Sequence, residues 1–214
     1  MNGGALIVLE GIDGSGKTTQ QSAIARALRE RGREVLETRE PTDGEWGVRI
    51  REMARSGRRV PPQEELRWFV EDRREHVERE ISPALARGCT VVCDRYFLST
   101  VAYQGARGLD WEAILAESER TFPVPDRALV FELSPDSALA RVRARGGTPE
   151  PAFERLAYLR RVAAIFAALE RPYIRRIDAS GPEDAVRRAA LAALDQEPDP
   201  RPEEGAAGKR RLAG

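Results

Sequence analysis

The chain has 214 residues, and its 35 lysines and arginines balance 35 aspartates and glutamates. That length fits one domain with its own core, and 41% apolar with 33% charged residues reads as a soluble globular protein, not a disordered or fibrous one. Zero formal net charge argues against a general nucleic-acid or membrane-surface binder and leaves room only for a local basic cleft.

The first apolar run, Leu6 to Leu9, reads as a buried strand. With Ala5 it is too short to span a bilayer and carries no basic leader, so a cytoplasmic protein is expected. Thr18 to Arg31 follows as a helix stopped by Gly32, and Val35 to Thr38 as a second strand. Gln63 to Arg87 has Leu66, Val70, Val77, Ile81 and Leu85 on one face and predicts a long helix, kinked by Pro83. Thr90 to Cys93 and Ala128 to Leu133 are further strands. Ser134-Pro135 supplies an N-cap and a first-turn proline for a helix to Ala144. Helices over Ala152 to Leu169 and Glu183 to Leu194 flank a short strand at Tyr173 to Ile177. Alternation of strand and helix predicts parallel pairing in an α/β sandwich. A single domain is expected over 1–195, with a disordered tail over 196–214 that lacks apolar residues to bury.

Cys89 and Cys93 lie on one face of the third strand, about 13 Å apart at the usual rise, too far to pair, and are expected as small buried residues. His76 is the sole histidine, which excludes His-rich metal sites. Among the basic residues only Lys17 and Lys209 are lysine. A lysine kept in a chain otherwise written in arginine points to chemistry that a guanidinium cannot perform.

Lys17 sits in the decisive motif, Gly11-Ile12-Asp13-Gly14-Ser15-Gly16-Lys17-Thr18, placed between a strand and a helix. This is the phosphate-cradling G-x-x-x-x-G-K-[ST] loop in full. Its glycines let the backbone amides face phosphate oxygens at a helix N-terminus. Lys17 would bridge the β- and γ-phosphates of a nucleotide, and the Thr18 hydroxyl would hold Mg²⁺, which leaves a GTPase, an ATPase motor or a small-molecule kinase open. Absence of lysine from 19 to 208 rules out an Asn-Lys-x-Asp guanine motif. Asp94-Arg95 ends the third strand, pairing a metal-holding acid with a phosphate-holding base, which suits transfer between two phosphates better than hydrolysis.

Three further segments carry acceptor chemistry. Thr38-Arg39-Glu40-Pro41 puts a cation at the same sheet edge. Phe69 and Arg73, spaced i, i+4, present an aromatic face beside a donor fork. Leu98 to Gly105 adds hydroxyls and the Gln104 amide, which can read a base edge.

Gly11 to Thr19, Thr38 to Pro41, the Phe69/Arg73 helix and Asp94 to Gly105 together resemble bacterial thymidylate kinases in identity, order and spacing. The resemblance covers most of residues 5–195. It implies a P-loop three-layer sandwich: a five-stranded parallel sheet, helices on both faces, and a small lid over about 145–153. It implies ATP and Mg²⁺ as donor system, dTMP as acceptor, and a homodimer. By similarity Arg39 and Arg95 would hold the dTMP phosphate, Phe69 would stack on thymine, Arg73 and Gln104 would contact its edge, and Asp13 and Tyr103 would lie against the deoxyribose. Pro41 and Ser99 complete the expected acceptor wall.

Two segments depart from the family pattern. Thr42-Asp43-Gly44-Glu45-Trp46-Gly47 stands where the family commonly reads Gly-Gly-Thr, and Gly146 to Glu154 lacks the usual lid arginine. Arg145 is the expected substitute, ahead of Arg141 and Arg155. The departures leave two alternatives: a kinase of another nucleoside monophosphate or deoxynucleoside, and a non-catalytic nucleotide-binding regulator.

Overall fold

The computed structural model describes residues 4–57, 59–144, 146 and 152–196, with 152–155 as backbone only. Five strands, β1 (Ala5–Glu10), β2 (Val35–Arg39), β3 (Thr90–Asp94), β4 (Arg127–Glu132) and β5 (Ile174–Asp178), form one sheet in the order β2-β3-β1-β4-β5. Every pairing is parallel. β1 is central, and the chain's direction of travel across the sheet reverses beside it, where open α/β sheets bind ligands. In register, Leu9 and Arg39 flank Asp94, which brings the carboxyl ends of β1, β2 and β3 to one rim.

The three inner strands, β1, β3 and β4, are buried on both faces and read as apolar runs, whereas the edge strands β2 and β5 are partly exposed and carry charge. Leu6, Val8, Val91, Cys93, Ala128 and Val130 point into one core, and Ile7, Leu9, Val92, Leu129 and Phe131 into the other. Full burial of each large side chain contributes about 1.5–3 kcal/mol. The second core is covered by α1 (Lys17–Glu30) and α9 (Glu183–Asp195). The first is covered mainly by α5 (Phe97–Gly105), α6 (Trp111–Thr121) and α8 (Ala152–Ala168). Cys89 and Cys93 are both free and buried, as expected.

The predicted helix over 63–87 is three pieces: α3 (Pro62–His76), a π turn (Val77–Ile81) and α4 (Ser82–Ala86). Pro83 has no N–H for the carbonyl four residues back. The ladder widens just before it, where the Ser82 N–H bonds to Val77 O, five residues back. α2 (Glu45–Ser56), α5 and α6 had no place in the sequence pattern. α5 is buried at seven of nine residues, so it shows no amphipathic period. α6 did carry a start signal: the Asp110 carboxylate accepts from Ala113 N–H at 3.0 Å. The Ser134 cap of α7 (Pro135–Ala144) forms as expected, accepting from Ser137 N–H at 3.2 Å. The expected lid and tail fall almost wholly outside the described residues. No described helix is long and apolar enough to cross a membrane.

Candidate active site

The loop after β1 turns through glycines at positive φ: Gly11 at 134°, Gly14 at 88° and Gly16 at 92°. Space as well as conformation demands them at two positions. A Cβ on Gly14 would stand 2.4 Å from Ala138 O, and one on Gly11 would stand 2.6 Å from Phe131 O. The loop and the start of α1 border a cavity of about 450 Å³, lined also by Asp13, Asp94 and Arg95. Thr19, exposed on the first turn of α1, lines it as well, whereas Ile12 and Ser15 are buried. The positive end of the α1 dipole opens onto this space, which suits a polyphosphate.

Lys17 is 5% exposed and folds back, donating to Ile12 O at 3.0 Å and Ser15 Oγ at 3.4 Å. Burial, assisted by the nearby Arg95 cation, pushes its ammonium down to about 8 against the pull of Asp13, Asp94 and Glu10. Beside it the Thr18 hydroxyl donates to Asp94 Oδ2 at 2.6 Å. Asp94 Oδ1 is buried with no partner among the described residues. A hydroxyl and a half-satisfied carboxylate fit Mg²⁺, which takes one or two protein oxygens and completes its shell with water and phosphate. No cluster of three or more His, Cys, Asp or Glu suited to a metal exists among the described residues.

A second cavity of about 270 Å³ adjoins the first, and Asp13 and Arg95 line both. Its wall brings together Pro41, Phe69, Arg73, Ser99 and Tyr103 from three separate segments. Phe69 and Arg73 stand one turn apart on α3. Arg73 is 1% exposed; its Nε and Nη2 donate to Glu40 Oε2 at 2.9 and 2.6 Å, and Nη2 also to Thr100 Oγ1 at 2.8 Å. Its Nη1 is buried with no partner among the described residues. Nη1 is itself enclosed, the guanidinium carbon lying 5.1 Å from the centre of the Tyr96 ring and 5.5 Å from that of Phe122, while Arg73 as a residue lines the cavity.

Two sequence-predicted residues are not brought to this wall. Arg39 is exposed, holds Asp43 at 3.0 Å, and lines a separate cavity at the β2 edge. Gln104 is fully buried, donating to Glu65 Oε1 at 3.0 Å, with its own Oε1 unpartnered among the described residues. Arg51, on a helix the sequence pattern missed, joins Arg73 and Arg95 on this wall. Its Nη1 donates to the carbonyls of Pro41, at 3.0 Å, and Thr42. Gly47 permits this approach, because a Cβ there would overlap Thr42 O and Asp72 Oδ1.

Arg95 joins the two cavities. It has φ 70°, a left-handed conformation unusual for a side chain of this size. Its Nη1 donates to Gly11 O at 3.0 Å and Ser99 Oγ at 2.9 Å, and its Nη2 to Asp13 Oδ1 at 2.5 Å and Tyr103 Oη at 3.3 Å. Asp13 N–H in turn donates to Tyr103 Oη at 3.2 Å. Beneath this group lies Glu10, fully buried, which accepts from Tyr96 N–H at 3.0 Å and from the Ser99 hydroxyl. Burial pushes its carboxyl up to about 7, although Ser99 and Arg95 pull it down. Neither Glu10 nor Tyr96 was read from sequence as part of the site.

Arg145 lies outside the described residues, and of the Arg155 side chain nothing is described. Arg141 donates to Ala179 O at 3.0 Å, which ties it to the end of β5.

A phosphate loop, a hydroxyl–carboxylate metal seat and an adjoining pocket that shares an arginine define a P-loop phosphotransferase with two substrates. The family model described as thymidylate kinase matches residues 9–190. The thymidylate kinase of Xanthomonas campestris pv. campestris strain B100 is 49% identical over 192 residues, covering 90% of this chain and 83% of the relative. That of Xanthomonas euvesicatoria pv. vesicatoria is 46% identical over 192 residues, covering 90% and 84%. That of Desulfotalea psychrophila is 42% identical over 195 residues, covering 91% and 96%. The chain belongs to the thymidylate kinase family.

Proposed function

We infer that this chain transfers the γ-phosphoryl group of ATP to dTMP, giving ADP and dTDP. The observation that carries the reading is the pair of adjoining cavities with Asp13 and Arg95 in their common wall. One cavity has the polyphosphate loop and the metal seat. The other has an aromatic face beside the Arg73 guanidinium, the requirements of a planar base with an acceptor on its edge.

Thr18 and Asp94 would hold Mg²⁺, which neutralises charge on the transferring phosphoryl when bound. Lys17 is poised to leave Ile12 O and Ser15 Oγ for phosphate oxygens, which would restore its full charge. The guanidinium of Arg95, already anchored on four groups, faces the junction where acceptor and donor phosphates meet. Arg51 approaches the acceptor phosphate from the opposite wall, a place the sequence assigned to Arg39. Phe69 stacks on the base, the Arg73 guanidinium reads its edge, and Tyr103 with Asp13 closes around the sugar. Gln104 acts, on this reading, through Glu65 and the α3–α5 contact. Arg145 serves as the mobile cation of a lid over about 145–153, closing one kinase domain of residues 1–195. The protein works in the cytoplasm as a homodimer, the assembly the resemblance implies.

The decisive assay couples ADP formation to each of dTMP, dUMP, dCMP, dAMP, dGMP and thymidine with ATP and Mg²⁺. Turnover led by dTMP is expected. ADP formation independent of acceptor, or led by thymidine, would overturn the reading.

A further inference from the structure

Behind Arg73 lies a buried group that the reaction as drawn does not use. His76 is 2% exposed and closes α3 at the residue before the π turn. Its Nδ1 lies 3.1 Å from Glu40 Oε1, and its Nε2 lies 2.7 Å from Thr38 Oγ1. One carboxylate is therefore divided: Oε1 faces the imidazole, and Oε2 takes two N–H groups of Arg73.

Chemistry fixes the hydrogen positions. An ionised carboxylate only accepts, so Nδ1 carries a proton. In the neutral ring Nε2 then accepts from the Thr38 hydroxyl. In the charged ring Nε2 donates to Thr38 Oγ1, whose own proton turns to Glu80 Oε2 at 3.3 Å. Thr38 can serve either form because a hydroxyl donates and accepts. The Nδ1–H bond to Glu40 is the same in both.

That bond constrains the carboxylate. The terminal torsion of glutamate is broad and two-fold, and a carboxylate left alone with arginine tends to engage it through both oxygens. With Oε1 occupied by His76, Glu40 offers the Nε and Nη2 side of Arg73 a single oxygen, and the guanidinium so held belongs to a residue that lines the cavity. Were Oε1 free, it would compete for Arg73 N–H groups and turn the guanidinium relative to the cavity.

We propose that His76 is a positioning residue for the acceptor base: by holding Glu40 Oε1 it sets the orientation of the Arg73 guanidinium at the wall of the base cavity. His76 itself touches neither substrate. The proposal rests on the reading of the Phe69–Arg73 cavity as the acceptor site.

The test compares His76→Asn, His76→Gln and His76→Leu by calorimetric titration with dTMP and by steady-state kinetics. Asn places an amide N–H near the Nδ1 position, Gln reaches toward Thr38 instead, and Leu removes both bonds. Expected is dTMP affinity within about twofold of the parent for Asn. For Gln and Leu an approximately tenfold loss is expected, the usual scale for a displaced hydrogen bond to a charged group. ATP KM should stay unchanged, and discrimination of dTMP over dCMP should narrow. Parallel titrations of Phe69→Ala and Arg73→Gln check the reading beneath the proposal. If those two weaken dTMP binding while Gln and Leu at His76 do not, the positioning role is refuted and the acceptor site stands. If neither weakens it, the acceptor site itself is misplaced and the proposal falls with it. If all three His76 variants lose melting temperature, kcat and both affinities together, His76 is structural only.

Discussion

Glu10 offers a prediction that needs no substrate. It is fully buried at the carboxyl end of β1, and its carboxyl is pushed from an ordinary 4.5 to about 7. A raised folded value means that the native state binds the proton more tightly than the unfolded chain. Between the two values the native state holds more protons, so stability falls as pH rises. Glu10 thus favours the fold fully below about pH 4.5 and loses that advantage through about pH 7. At about 1.4 kcal/mol per decade, the full loss is about 3 kcal/mol. Glu10→Gln keeps the size and an acceptor for the Tyr96 N–H but does not titrate. Urea unfolding of both proteins from pH 4.5 to 8 isolates the effect, because every other group cancels in the difference. The parent should lose about 3 kcal/mol relative to the variant across that window. Parallel stability curves would refute the reasoning and place the Glu10 pKa near that of a solvated carboxylate.

Lys17→Ala should lower kcat by a factor on the order of 10² to 10³ with an unchanged circular dichroism spectrum, and Lys17→Arg should fail nearly as badly, since a planar fork does not fit a seat shaped for an ammonium; an arginine variant with half the parent activity would count against this. Phe69→Ala should weaken the acceptor by about 1–3 kcal/mol, the worth of a base stacked on an aromatic ring, and leave ATP KM alone; a lower melting temperature with unchanged KM values would make Phe69 a core residue only. Arg145→Met should reduce kcat by as much as about 10³ with little change in either KM if it supplies the lid cation; near-parental kcat would exclude it.

The donor half of the site was legible because its chemistry is contiguous. Gly11 to Thr18 and Asp94-Arg95 each gather their candidate groups within a few residues, and strand ends place them on one rim. The acceptor half depends on which arginine turns inward, and that is a tertiary outcome. Arg39 and Arg51 lie twelve residues apart in a chain rich in arginine. Only the close packing of α2 on the Thr42 carbonyl, at Gly47, brings Arg51 in and leaves Arg39 at the edge. The placement of Gln104 is tertiary for a related reason. Its buried Nε2 finds an acceptor in Glu65, a carboxylate on α3, which holds the side chain away from the cavity wall. Glu10 carried no local signal at all, since it closes an apolar strand as any polar boundary residue would.

The backbone of Arg95 has a consequence for efforts to stabilise this protein. Every other positive-φ residue among the described ones is glycine. At this turn the chain retains a long side chain in a conformation costing about 1–2 kcal/mol. A redesign ranked on folding free energy alone would choose glycine here first and would be rewarded with a tougher protein. It would also delete the one cation held against Gly11, Asp13, Ser99 and Tyr103 at once. On the proposed function, Arg95 therefore marks where robustness and catalysis make opposite demands on a single residue, and a thermostable variant is best sought elsewhere in the chain.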